Sequence, residues 1–350
     1  MKLDDYELEK LISKDTFGEI YLTKKEGDSQ KYATRKIDRK EADNNEEIKI
    51  FVKNEIMFLK NLDHPNIVKF KDVKKSKLNY YTIMEWCNGG TLSEALKIYM
   101  EKNGKAFPEE LVQYFMRQII DAFKYIHGKK IIHRNIMLEN ILLHFDNEED
   151  KKNFNLMKGQ IKISDFRFSC ICNQLKTSLV GTPINFHPFF LRKLNSLSNK
   201  TKKLGYDQNY DIWSIGEICY DMLFGKYPFD AENMEENFTL LEMGNYTVPT
   251  NISAESISFL NGMLIFEEKK RLTAEQLSEH AFLIKDIKQF TKININQLAN
   301  KIKDNKIILN IYESNSFIDN ITGNQIMDII NQKEEESLKE NVNTQDNQGK

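Results

Sequence analysis

The residues with the greatest capacity for chemistry stand in two strings. The first is Ile132-His133-Arg134-Asn135-Ile136-Met137-Leu138-Glu139-Asn140-Ile141-Leu142-Leu143, and the second, after a polar stretch, is Ile163-Ser164-Asp165-Phe166. Between apolar runs they hold an imidazole, a guanidinium, two carboxamides and two carboxylates, groups that can carry charge, protons and hydrogen bonds. Residues 141–143 and 160–164 read as short strands with a hairpin-like connection, which would bring the strings together. Zinc is a poor fit: Cys170 and Cys172 form a C-x-C, but no second Cys or His pair stands at zinc-finger spacing.

The surrounding elements fall into two parts. Residues 6–12, 19–24 and 31–38 carry short β-favouring patterns separated by polar turns. Residues 46–62 have helical spacing at Ile48, Phe51, Val52, Ile56 and Leu59, and strand-like runs at 68–73 and 78–86 end on Asn88-Gly89-Gly90. The chain then turns helical. Leu111, Val112, Phe115, Ile119, Phe123 and Ile126 make 109–127 strongly amphipathic, 211–223 reads as a buried helix and 257–266 as another. Residues 144–158 read as a solvated insertion. A small β-rich lobe followed by a larger helical one is the expected organisation, with no repeat of fixed period.

The two strings closely resemble the catalytic-loop and metal-loop pair of eukaryotic protein kinases. Further matches follow in that family's order along residues 6–283. Glu55 precedes Leu59, Leu62 and His64-Pro65-Asn66-Ile67-Val68 as in the kinase C-helix, and Ile83-Met84-Glu85-Trp86-Cys87 resembles the gatekeeper and hinge. Gly181-Thr182-Pro183, Asp211-Ile212-Trp213-Ser214-Ile215-Gly216, Phe224-Gly225-Lys226-Tyr227-Pro228-Phe229 and Lys270-Arg271-Leu272-Thr273 complete the helical lobe. The resemblance implies an α+β, bilobal kinase fold of the Ser/Thr type, with an N-lobe over 6–86 and a C-lobe over 88–283. Asp165-Phe166-Arg167-Phe168-Ser169 and Gly181-Thr182-Pro183-Ile184-Asn185-Phe186 are similar to the Unc-51-like autophagy-initiating branch. Residues 284–330 are expected to form a helical extension and 331–350 a disordered polar tail.

By the same resemblance ATP and Mg2+ are the implied cofactors, with Asn140 and Asp165 at the two metal positions. The nucleotide positions are Ile12, Ser13, Asp15, Gly18, Ile20, Ala33, Arg35, Glu55, Met84, Glu85 and Cys87. His133 stands at a packing position, and Leu59, His133, Phe166 and Asp211 match the internal spine and its anchor. Thr177 and Ser178 lie where activating phosphates are added in such kinases, with Arg134 as a phosphate partner.

Several positions depart from an active kinase. Asn135 replaces the carboxylate that accepts the substrate proton, an aid commonly worth ~10²–10⁴-fold. Met137 replaces the catalytic-loop lysine. Arg35 replaces the strand lysine that holds phosphates and pairs with Glu55, a pairing expected to be bidentate, and alternation along the strand turns the adjacent Lys36 away. Ser13 and Asp15 replace two glycines of the phosphate loop, where Asp15 would set negative charge beside phosphates and only Gly18 survives. Arg167 follows Phe166 where glycine is usual, a bias toward one loop conformation. Phe189 replaces a glutamate that normally pairs with the arginine at Arg271.

Composition sets the bounds. With 50 Lys plus Arg against 52 Asp plus Glu, a net charge of −2 offers no basic field for nucleic acid or an anionic membrane. No run of ~18 apolar residues suggests a membrane span. Four cysteines in 350 residues argue for a reducing compartment, the cytosol or alternatively the nucleus. The 15 glycines are about 4% against a usual ~7%, and part of the deficit falls at Ser13, Asp15 and Arg167. The expected function is a catalytically impaired kinase domain that works through a protein partner and binds ATP weakly. The alternatives are a weakly active Ser/Thr kinase acting on protein substrates and a structural domain that binds no nucleotide.

Overall fold

Side-chain alternation builds the first layer. In β4 (Lys31–Asp38), Tyr32, Thr34, Arg35 and Ile37 are buried while Lys31 and Asp38 are exposed, the pattern of a strand with a covered face. The computed structural model describes residues 2–15, 17–172, 188, 207–229, 246 and 252–290. Its largest sheet is antiparallel with strand order β1-β2-β3-β4-β6-β5. The strands are β1 (Lys2–Leu3), β2 (Tyr6–Asp15), β3 (Gly18–Lys25), β4, β5 (Phe70–Lys75) and β6 (Asn79–Glu85). In β2 only Tyr6 and Leu8 are buried, so its far half is solvent-exposed while it stays paired with β3 as far as Asp15 opposite Gly18.

Two helices follow β4. The short α1 (Arg39–Asn44), capped by the Asp38 side chain, lies in a stretch where the sequence gives no helix expectation. Then α2 (Glu46–Asn61) starts at Asn45, whose side chain accepts from the Glu47 and Ile48 amides. It buries Ile48, Val52, Asn54, Glu55, Phe58 and Leu59, so one face of a single helix carries both packing and polar groups.

The helical lobe surrounds α4 (Glu109–Gly128), in which Phe115, Met116, Ile119, Ile120, Phe123 and Ile126 are wholly inaccessible to solvent. Ahead of it lies α3 (Leu92–Asn103), in the stretch read as helical but given no bounds of its own, started by a Thr91–Glu94 capping box and ended by Gly104 in the left-handed conformation. The later α6 (Asn209–Phe224) and α7 (Ala254–Met263) pack into the same core, followed by α8 (Ala274–Ser278) and α9 (Ala281–Ile284). The final helix candidate is displaced from its expected 257–266: Ser253 caps it and it stops at Met263.

The strands β8 (Ile141–His144) and β9 (Gln160–Ile163) pair antiparallel, Ile141 opposite Ile163. Residues 144–158 are not simply solvated. They contain α5 (Glu148–Lys152), and Phe145 and Leu156 are buried in the main core, so two apolar anchors hold the insertion down. The run expected as a strand over 68–73 begins at Phe70, because Val68 instead donates its amide to Ile163 O at 2.9 Å across the lobes. Thr177, Ser178, Gly181-Thr182-Pro183, Phe189 and residues 291–350, including most of the expected extension and the whole tail, lie outside the described residues.

Candidate nucleotide and metal site

The site lies where the tip of the β2–β3 hairpin, β4, α2 and the segment after β9 converge. Gly18, at φ +151°, holds the base of the tip: a Cβ there would meet Lys36 O at 2.4 Å, which only glycine avoids. Past the tip, Asp15 turns inward. Its Oδ2 lies 3.0 Å from Arg35 Nη1 and 3.0 Å from Arg167 Nη2, and its Oδ1 accepts from the Phe17 amide at 2.8 Å. The negative charge that Asp15 sets beside the phosphate position is held by two guanidinium groups.

Arg35 points into the site and is 5% exposed. Its Nε approaches Glu55 Oε1 at 3.0 Å, but the angle does not make a hydrogen bond and both Glu55 oxygens lack one. The expected bidentate pairing is thus a single contact, because the guanidinium also reaches Asp15. Burial pushes the Glu55 carboxyl above its ordinary range, opposed by the Arg35 charge. Lys36 lies on the other face of β4, paired with Glu19 at 3.0 Å.

The metal-loop carboxylate is engaged from two sides. Asp165 adopts a left-handed backbone, φ +64°, a conformation that Asp tolerates better than most residues. This turn brings Arg167 back onto it, with Nε to Oδ1 at 2.5 Å and Nη2 to Oδ2 at 2.7 Å. Asn135 Nδ2 also donates to Asp165 Oδ2 at 3.0 Å. Burial raises the Asp165 pKa, but the Arg167 hydrogen bonds and the Arg167 and Arg35 charges outweigh it and hold the group at about 2. Arg167 itself is raised despite its burial, so this pair stays ionised.

Mg2+ does not fit this arrangement. A guanidinium occupies the approach to both Asp165 oxygens, and a divalent ion at ~2.1 Å from the same carboxylate would face that positive charge directly. The other metal position, Asn140, turns its Nδ2 to Asn135 O at 2.9 Å, while its backbone carbonyl accepts from Ser164 N and Oγ. Met137, in an extended conformation just before the 3-10 turn Leu138–Asn140, offers a thioether and no charge.

The remaining predicted nucleotide positions lie around this cluster. Met84 is opposite Ala33 in the β4–β6 ladder, and Ile20 is opposite Arg35 in β3–β4. Glu85 pairs with Lys162 at 3.1 Å and accepts from the Lys69 amide. Burial pushes the Cys87 thiol up to about 12, so it behaves as a small apolar group. Ile12 and Ser13 lie on the exposed part of β2.

Behind the site, His133 is buried, and burial lowers its pKa. Its Nε2 is 2.9 Å from Ser164 O, which requires Nε2 to donate, and its ring meets Phe166 edge-on at 4.7 Å. Asp211 accepts from the His133 and Arg134 amides, both at 2.8 Å, and contacts His127 Nε2 at 3.0 Å. Arg134 Nε donates to Phe168 O at 2.7 Å, and Arg271 donates to the carbonyls of Ile265, Phe266 and Asn209. Cys170 lies in β10 (Cys170–Ile171), which pairs with β7 (Ile131–Ile132), against Ile132 and Tyr210.

Three residues carry no site role in the sequence reading, although Phe51 stands there on the helical stripe. Asn54 Nδ2 donates to Arg167 O at 3.1 Å and Ser169 O at 3.3 Å, tying α2 to the metal loop. Phe17 and Phe51 form a cluster with Phe168, and the Arg167 guanidinium sits 4.8 Å from the Phe17 ring centroid. The signals were present: a polar Asn on a buried helical face, and aromatics flanking Arg167.

A small antiparallel lobe, a helical lobe and a cleft holding a catalytic-loop and a metal-loop string define a phosphotransferase-like architecture. The family pattern described as protein kinase domain matches residues 6–283. The chain is 31% identical to calcium-dependent protein kinase 5 of Plasmodium falciparum, over 85% of this chain and 48% of that protein. It is 30% identical to a probable myosin light chain kinase of Dictyostelium discoideum, over 82% and 85% respectively. Against the carbon catabolite-derepressing protein kinase of Candida albicans it is 32% identical, over 83% and 43%. The chain belongs to the protein kinase family, with Ser/Thr kinases among its relatives, and it spans about half the length of several of them. Kinases of this family generally use ATP and Mg2+.

Proposed function

We propose that this chain is a catalytically impaired Ser/Thr-type kinase domain, a pseudokinase that acts on a protein partner as a scaffold or allosteric regulator. The Unc-51-like resemblance of residues 165–169 is its finer placement within the family. The observation that carries the reading is the Asn135–Asp165 hydrogen bond, 3.0 Å long. The position that should accept the substrate proton holds a donor, and it donates to the carboxylate that should hold the metal. Catalysis in this family is mostly positioning and electrostatic stabilisation, and here Asn135, Met137 and Arg167 remove the base, one cation and access to another.

What is kept supports binding over turnover. Leu59, His133, Phe166 and Asp211 are all buried, so the domain can present a defined surface without performing chemistry. The test is transfer of phosphate from ATP to a generic protein substrate. The natural protein is expected to stay at the no-enzyme background, and Asn135→Asp alone to stay there too, because Arg167 still covers Asp165. Robust turnover by the natural protein, lost in Asp165→Ala, supports the weakly active kinase instead.

A further inference from the structure

The two guanidinium groups share more than they neutralise. Asp15 Oδ2 is held at 3.0 Å by Arg35 and at 3.0 Å by Arg167, whose side chains are each 6% exposed, while the Asp15 side chain is 38% exposed. The one member of the cluster that reaches solvent is therefore the anion between two buried cations. Arg167 Nη1 is buried without a hydrogen-bond partner among the described residues, and Arg35 Nε, though it faces Glu55 Oε1 at 3.0 Å, makes no hydrogen bond. Buried unbonded donors are costly, so the site has donor capacity that Asp15 does not use.

From this geometry we infer that Arg35 and Arg167 form an anion clamp for a metal-free polyphosphate, a nucleoside triphosphate in the first place, with Asp15 as its resident competitor. An incoming phosphate oxygen takes the position of Asp15 Oδ2, and the planar forks of both arginines suit phosphate as they suit carboxylate. The exchange is one anionic group for another, so it needs no new cation. Mg2+ has no part in it, because Arg167 already occupies both Asp165 oxygens. Chelating the phosphates with Mg2+ would remove charge that the clamp could otherwise contact. Displacing Asp15 also frees the hairpin tip that carries Phe17, which packs against Phe51 and Phe168.

This inference rests on the proposed loss of catalysis but fails separately from it, since its readout is binding. Thermal shift or calorimetry would compare ATP, inorganic tripolyphosphate and adenosine, each in EDTA and in excess Mg2+. The natural protein is expected to bind ATP in EDTA at least as tightly as in Mg2+, tripolyphosphate to bind without Mg2+, and adenosine to bind least. Asp15→Asn should tighten ATP binding in EDTA on the order of tenfold by removing the competing charge. Arg167→Gly should lose the EDTA-stable binding and make what remains depend on Mg2+, a gain that a misfolded variant cannot produce. If Arg167→Gly does not fold, Asp15→Asn decides alone. A strict Mg2+ requirement in the natural protein, unchanged affinity in Asp15→Asn, or no binding of ATP even to Asp15→Asn would overturn the inference. Turnover by the natural protein would overturn the pseudokinase reading and leave this comparison standing.

Discussion

Two buried ionic centres lie close together and are satisfied very differently. Asp211 is wholly inaccessible and accepts from two backbone amides and an imidazole. The cluster of Asp15, Arg35, Glu55, Asp165 and Arg167 gathers five ionisable groups, yet Glu55 has no hydrogen bond at either oxygen and both arginines retain nitrogens without one. The first centre fixes the loop that carries His133 and Arg134. The second stands where kinases of this family hold metal and phosphate, and here its side chains engage one another. Backbone donors are oriented by the fold and serve the scaffold, whereas side-chain charges assembled from four elements leave polar atoms unpaired.

That contrast is open to measurement by denaturation. Asp211→Ala should cost about 3–5 kcal/mol, because it strands two buried amides. Glu55→Gln, at an equally buried carboxylate, should cost less than about 1 kcal/mol, since no hydrogen bond is lost and burial already disfavours its charge. Equal losses at the two sites would break the distinction.

A smaller effect than the first sharpens the account of Asp165. Its pKa is held at about 2 against an ordinary 3.8. A depressed acid contributes stability that is present above its unfolded pKa and lost as pH falls through the folded one. Arg167→Ala should therefore be destabilised by about 1–3 kcal/mol above roughly pH 4, converging on the natural protein as pH falls toward 2. A difference that persists undiminished to pH 2 would mean that Arg167 acts through packing on Phe17 and Phe168 rather than through Asp165.

Much of the scaffold was legible from periodicity. The spacing of Ile119, Phe123 and Ile126 sufficed for α4, and alternation sufficed for β4, including the inward turn of Arg35. α3 received no bounds because its start is marked by the Thr91–Glu94 box rather than by a strong apolar stripe, and the insertion was misjudged because few residues, chiefly Phe145 and Leu156, anchor it. At the site, residue types marked the departures from an active kinase: Asn135 offers no base, and Met137 offers no charge. What replaced them was not visible. The Arg167–Asp165 pair exists only because Asp165 takes a left-handed backbone, a local choice that hydrophobic patterning does not report. Asp15 was read as a repulsive charge because its two partners come from β4 and from the metal loop, distant in the chain.

The central claim is that a divalent ion no longer reaches Asp165. Electron paramagnetic resonance of Mn2+ in the presence of ADP tests it directly, since protein-bound Mn2+ loses the sharp signal of the free ion. The natural protein and Asp165→Ala are expected to leave the same Mn2+–ADP spectrum, and Arg167→Gly to deplete it. Depletion by the natural protein that disappears in Asp165→Ala would contradict the account.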